Sequence, residues 1–218
     1  MPMRVVLADD HAMMRDGLRA VLEGAGVEVV GEAATGHEAL SEVRRLRPNV
    51  VIMDIGMPEL NGIDATKRLM AELHGLKVLA LSMNADRRYV SAMLDAGASG
   101  YLLKNSASDE LFIALEAVMR GETYLSPSIP GLAGSIERPI QSEASARPGG
   151  QRELSARERE VLQLVAEGKS SKQIGALLGI AVPTVETHRR QIMAKLNLWT
   201  VAELTKFAIR EGLTSNDP

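Results

Sequence analysis

Residues 3–10 read MRVVLADD, a short apolar run that stops at two adjacent acids. Four more runs of the same kind follow within the first 120 residues: VEVVGEA at 27–33, NVVIM at 49–53, KVLALS at 77–82 and GYLLK at 100–104. Each is continuous rather than alternating in apolar character, as expected of strands buried on both faces, and each precedes a segment with helical spacing. The alternation predicts an α/β domain, a doubly wound parallel five-stranded sheet covered by helices. The breakers agree. Gly24 and Gly26 close the first helix, Pro48 the second, Ser106 with Asp109 predicts an N-cap pair before LFIALEAVM, and the last helix closes near Gly121.

Beyond this point the composition changes. SPSIPGLAG at 126–134 and RPIQSEASARPGGQ at 138–151 are rich in Pro, Gly and Ser and lack a sustained period. The reading places a first domain at 1–121, a linker at 122–150 and a second domain at 151–218. In the second domain Ser155 with Glu158, and Ser170 with Gln173, have capping-box spacing. Leu154, Val161, Leu162 and Val165 share one helical side, Gly179 stops the second helix, and TVETHRRQIMAKL and AELTKFAIREGL give two more. An all-α four-helix domain is predicted.

The 218 residues suffice for two modest cores, which must be aliphatic because 45% of the chain is hydrophobic and only 3% aromatic. The chain has no cysteine, which excludes disulfides, cysteine-ligated zinc and thiol catalysis. The N-terminus has neither the length nor the flanks of a signal peptide or membrane span, so a cytoplasmic protein with no membrane partner is expected. A net charge of -3 makes any affinity for nucleic acid a matter of local charge.

In a doubly wound sheet, function gathers at the carboxyl ends of the strands, where strand order reverses. Asp9 and Asp10 end the first strand, Asp54 the third, Ser82 the fourth, and Lys104 follows the fifth. Two like charges about 4 Å apart repel by roughly 4 kcal/mol at an effective dielectric near 20, so three converging carboxylates call for a divalent cation. Oxygen ligands with room for water favour Mg²⁺. With the cation and the Lys104 ammonium neutralising a phosphoryl group, a carboxylate can attack phosphorus in line and become an acyl phosphate. Taken singly, each Asp reads more simply as a turn or helix cap and Lys104 as a solvated loop lysine, and it is the set of five at successive strand ends that points to chemistry. His11 beside the acid pair suggests a metal role, which is declined because oxygen donors suit Mg²⁺ and imidazole does not.

VVLADDH, MDIGMPELNG around Asp54, LALS ending in Ser82 and GYLLK ending in Lys104 together resemble the receiver domains of two-component response regulators. The resemblance implies Asp54 as phosphoacceptor, Asp9, Asp10 and the backbone carbonyl of Gly56 as further Mg²⁺ ligands with Asp54, and Ser82 and Lys104 as phosphoryl contacts. It gives Tyr101 the place of a switch aromatic, against which stands plain packing of a strand tyrosine.

The stretch from Leu154 to Leu198 resembles the helix-turn-helix domain of NarL/FixJ, or LuxR-type, regulators. Val185, Ile192 and Leu196 should face the bundle, leaving Glu186, Thr187 and Arg190 for the major groove. Arg189, Lys195, Lys169 and Lys172 are assigned to phosphates, with a solvated surface as the plain alternative. Many family members carry serine where Ala181 stands and lysine where Glu186 stands; Pro183 offsets the lost cap by pre-setting the first turn. Trp199 is expected to plug the space between the final helices. Leu204, Phe207, Ala208 and Glu211 share one side of the last helix, which in the family supports dimerisation on DNA and otherwise closes the bundle.

The implied protein is not an enzyme but a response regulator, phosphorylated on Asp54 by a sensor histidine kinase, that binds double-stranded DNA as a homodimer and controls transcription. Two other readings stand beside it. A Mg²⁺-dependent phosphohydrolase lacks a general acid and a substrate lid, and a phosphorylation-independent DNA-binding protein leaves the complete acidic set without a purpose.

Overall fold

The computed structural model describes residues 2–129 and 154–214. The stretch 130–153, which holds most of the expected linker, lies outside the described residues. Contacts divide the chain into two units, 1–143 and 144–218.

The first unit alternates strand and helix: β1 Arg4–Ala8, α1 Ala12–Gly24, β2 Glu28–Ala33, α2 Gly36–Leu46, β3 Val50–Asp54, α3 Gly62–Glu72, β4 Lys77–Ser82, α4 Arg87–Asp95, β5 Gly100–Leu103 and α5 Ala107–Met119. With a short strand β6 at Tyr124–Leu125, the strands pair in parallel in the order β2-β1-β3-β4-β5-β6, so the order reverses at β1. Alternate residues of each strand serve opposite cores. Val6, Ala8, Val51 and Met53 pack with Leu40 and Val43 of α2, Leu69 of α3 and Met93 of α4. Val5, Leu7, Val50 and Ile52 pack with Leu22 of α1 and with Leu111, Leu115 and Val118 of α5. Covering both faces is what made the apolar runs continuous.

The sheet has six strands, one more than the sequence predicts. The extra strand, β6 Tyr124–Leu125, falls in the expected linker and pairs Gly100 with Tyr124 and Tyr101 with Leu125. Two residues are too few to show a period. What fixes them is contact: the Tyr124 and Ser126 hydroxyls both donate to Glu110 Oε2 on α5, at 2.9 and 2.6 Å, and Ile129 is buried in the same core as Tyr101. A second difference lies before α5. Ser106 makes no side-chain cap bond, because a 3₁₀ turn, Lys104–Ser106, runs directly into the helix.

The second unit has four helices: α6 Ala156–Ala166, α7 Ser171–Leu178, α8 Val182–Leu196 and α9 Val201–Arg210. Both expected capping boxes form, and Thr200 with Glu203 makes a third. Gly179 ends α7 at φ 64°, a left-handed conformation glycine adopts without penalty. Ala181 starts α8 with no side-chain cap and with Pro183 in the first turn, as expected. Val161, Leu164, Ile174, Val185, Ile192, Leu196, Leu204 and Ala208 form the core.

Trp199 is not the expected plug. It is 64% exposed, its Nε1 donates to Asn197 Oδ1 at 3.3 Å, and Leu198 packs on the core in its place. Among the described residues no helix is long and apolar enough to cross a membrane.

Candidate functional site

The crevice lies at the carboxyl ends of β1 and β3, on either side of the reversal in strand order. Asp54 closes β3, and the loop after it folds back tightly enough to need two glycines. A Cβ on Gly62 would stand 2.0 Å from the Asp54 carbonyl oxygen, and one on Gly36 1.9 Å from that of Leu60. No side chain fits at either position without moving backbone. This packing holds the Asp54 carboxylate at the floor of the crevice, where the Gly56 amide donates to its Oδ1 at 3.3 Å.

Lys104 reaches in from the end of β5. Its ammonium lies 2.8 Å from Asp9 Oδ2 and 2.9 Å from Asp54 Oδ2, with all three side chains nearly buried. Asp10 stands at the rim, one-third exposed. One ammonium is shared by two carboxylates, with Asp10 close by, and the imbalance bears on Asp54. Burial, helped by Asp9 and opposed by Lys104, leaves that carboxyl pushed up to about 6. Burial also works against the charge on Lys104, but Asp54 and Asp9 outweigh it and hold the ammonium above its ordinary value.

Ligand atoms of Asp9, Asp10, His11 and Asp54 lie within 4.8 Å of one another. The three carboxylates supply hard oxygen donors around a place where negative charge is in excess, a set that fits Mg²⁺. His11, set aside on its sequence, is brought in: its Nδ1 is 2.8 Å from Asp10 Oδ1 and 3.2 Å from Asp9 Oδ1. Arg15 was missed. One turn further along α1, it donates to the Asp9 carbonyl at 2.6 Å and to Glu32 at 3.1 Å, fixing the backbone that carries the acid pair.

Ser82 is buried at the end of β4, and its Oγ accepts from the Asn84 amide at 3.1 Å. Tyr101 is fully buried and donates to the Asn84 carbonyl at 2.7 Å, with burial pushing its hydroxyl up to about 12. Asn84 thus ties together the two residues read as phosphoryl contact and switch.

In the second unit Val185, Ile192 and Leu196 face the core, and Glu186, Thr187 and Arg190 are exposed on the other side of α8. The Thr187 hydroxyl donates to the Pro183 carbonyl at 2.9 Å. Arg190 and Lys172 are exposed, and Arg189 and Lys169 half-buried. Lys195 stands apart from this group. Its ammonium is 2.6 Å from Glu158 Oε2, the carboxylate that also caps α6, so it ties α8 to the start of the bundle. Leu204 and Ala208 of α9 are buried in the bundle, while Phe207 is half-buried beneath the Arg210 guanidinium, 5.3 Å from its ring centre.

Comparison with known proteins agrees over both units. Residues 5–116 match the response regulator receiver domain, and residues 152–208 match the bacterial regulatory proteins of the luxR family. The transcriptional regulatory protein MctR of Rhizobium johnstonii is 40% identical over 97% of this chain and 95% of its own. The oxygen regulatory protein NreC of Staphylococcus carnosus is 38% identical over 97% and 99%. Among solved structures, RcsB of Salmonella enterica serovar Typhimurium, bound to the promoter rprA in the presence of phosphomimetic BeF3-, is 30% identical. It aligns over 95% of this chain and 98% of that one with a TM-score of 0.58.

Proposed function

This chain belongs to the LuxR-family response regulators, receiver first and DNA-binding domain second, and on that premise we propose that Asp54 is the residue through which a sensor histidine kinase controls DNA binding. The carboxylate of Asp54 attacks phosphorus in line, an O–P bond forms, and the P–N bond to the donor histidine breaks. The observation that carries this is the pair of contacts from one buried ammonium to Asp9 and Asp54. Lys104 already stands where the equatorial oxygens of the transferred group need a cation. Asp9, Asp10 and Asp54, with the Gly56 carbonyl, would hold Mg²⁺, which when bound supplies further neutralisation of phosphoryl charge.

The modification adds roughly -1.5 to -2 charges to a crevice already rich in carboxylates. Ser82 then turns its hydroxyl to the phosphoryl oxygens and leaves the Asn84 amide. Because Tyr101 is bonded to the same residue's carbonyl, the loop after β4 and the Tyr101 side chain rearrange together.

The output is duplex recognition by α8, with Glu186, Thr187 and Arg190 at base edges and Arg189, Lys169 and Lys172 at phosphates. Lys195, drawn onto Glu158, contributes through the bundle. The active form is a homodimer placing two α8 helices on successive half-sites, and the protein works in the cytoplasm. RcsB, whose structure carries a promoter, supports this output.

The test incubates the full chain with Mg²⁺ and a small acyl phosphate, and scores intact mass. One added phosphoryl group is expected, absent in Asp54→Asn and absent without Mg²⁺. An unmodified wild-type protein, or a modified Asp54→Asn, would remove Asp54 from this role.

A further inference from the structure

One hydroxyl in the second unit has both its donor and its acceptor taken by charged side chains of the neighbouring helix. Ser171, the first residue of α7, donates through Oγ to Glu186 Oε1 and accepts from Arg189 Nη1 at 3.2 Å. Glu186 and Arg189 lie one turn apart on α8, so both meet α7 from the same side. The order of donors is fixed: guanidinium to hydroxyl, hydroxyl to carboxylate. A serine hydroxyl has one hydrogen, and here Glu186 takes it. Donation from Arg189 polarises the hydroxyl and strengthens its bond to the carboxylate.

We propose that Ser171 is a positioning residue for sequence reading, holding the Glu186 carboxylate so that its second oxygen accepts from a base amino group, first of all cytosine N4, in the major groove. The inference rests on the reading of α8 as the helix that enters that groove. An unheld glutamate must give up its rotamer freedom on binding, and the phosphate field opposes its approach. The Ser171 relay removes both obstacles before DNA arrives: the hydroxyl fixes the carboxylate and Arg189 offsets its charge. Glutamate is then an acceptor of defined direction, the property that distinguishes an amino-bearing base edge from a carbonyl-bearing one. A serine that merely joined α7 to α8 would support every DNA sequence equally.

The experiment compares base preferences of full-length variants selected on a duplex pool with randomised positions at fixed salt. Glu186→Gln marks the position that Glu186 reads. Ser171→Ala is expected to relax preference at that same position roughly fivefold, the size of one lost hydrogen bond. Preferences elsewhere and the salt dependence stay unchanged, and Ser171→Thr, which keeps the hydroxyl, restores the wild-type pattern. A uniform loss across all positions, or no change with Ser171→Ala, overturns the proposal. If Arg190→Ala shifts a preference and Glu186→Gln shifts none, α8 still reads DNA and only the proposal fails. If the wild-type chain selects no sequence, the reading of α8 fails and the proposal falls with it.

Discussion

Asp54 in the first unit and Glu158 in the second are both buried carboxylates with a lysine ammonium within 3 Å, and their titrations move in opposite directions. Burial pushes both up. At Glu158 that push is overcome by Lys195 and by the backbone amide and hydroxyl of Ser155, which the capping box aims at it. At Asp54 one ammonium is shared with Asp9, and the Gly56 amide is distant at 3.3 Å, so burial prevails. The same pair of residue types is therefore a settled ion pair where backbone donors complete it, and keeps a raised carboxyl where a second acid divides the cation.

The largest effect that sharpens this comparison is Glu158→Ala. It leaves Lys195 and the Ser155 amide without their acceptor and should destabilise the second unit by about 3 kcal/mol, read by denaturant unfolding. A loss below about 1 kcal/mol would mean that the Glu158 pair contributes no more than an exposed one.

Asp54→Asn should act in the other direction. A carboxyl raised from 3.8 to about 6 on folding contributes stability that is full below its unfolded pKa and is lost as pH rises through about 6. At pH 7 to 8, with chelator present, the variant is expected to gain at most about 3 kcal/mol over wild type, with the gap closing by pH 4. An equal gain at pH 4 and pH 8 would break the assignment.

Glu158 has the opposite dependence. Its lowered pKa gives stability that is present above the ordinary carboxylate range and is lost as the pH falls below it. Between pH 7 and pH 4, protection against amide exchange, corrected for the intrinsic rate at each pH, should rise in the first unit and fall in the second. Smaller still, Lys195→Met leaves the Ser155 donors on Glu158 and should cost about 1 kcal/mol. Trp199→Ala should lie within about 0.5 kcal/mol, since the indole is mostly in solvent. A cost near 3 kcal/mol there would restore it as a packing residue.

What the sequence made legible was carried by local pattern. Continuous apolar runs located five strands, and the strand ends then placed Asp9, Asp54 and Lys104 together without any contact being known. Ser155, Ser170 and Pro183 announced three helix starts through side chains two or three residues away. What escaped was set by distant partners. Glu158 and Lys195 are 37 residues apart, so nothing near Lys195 shows that its ammonium is engaged. Tyr124 and Leu125 form a strand only because β5 and Glu110 receive them. His11 was declined as a metal ligand on donor chemistry, and the sequence does not show that its ring turns back onto Asp10. Trp199 was misread from its size, when Leu198, the smaller neighbour, fills the core.

Brief as it is, β6 bears on how the receiver behaves when crowded. An open parallel sheet offers two rows of unpaired amides and carbonyls to any extended chain, which is a route to intermolecular strand addition. At the β2 border, Glu28 and Glu32 and the irregularity opposite Val5 and Val6 spoil that template. At the other border, β6 takes the pairing groups of Gly100 and Tyr101 and is followed two residues later by Pro127, which has no amide to extend the ladder. The strand thus ends the sheet as well as enlarging it, guarding against fibrous aggregation with two residues of backbone.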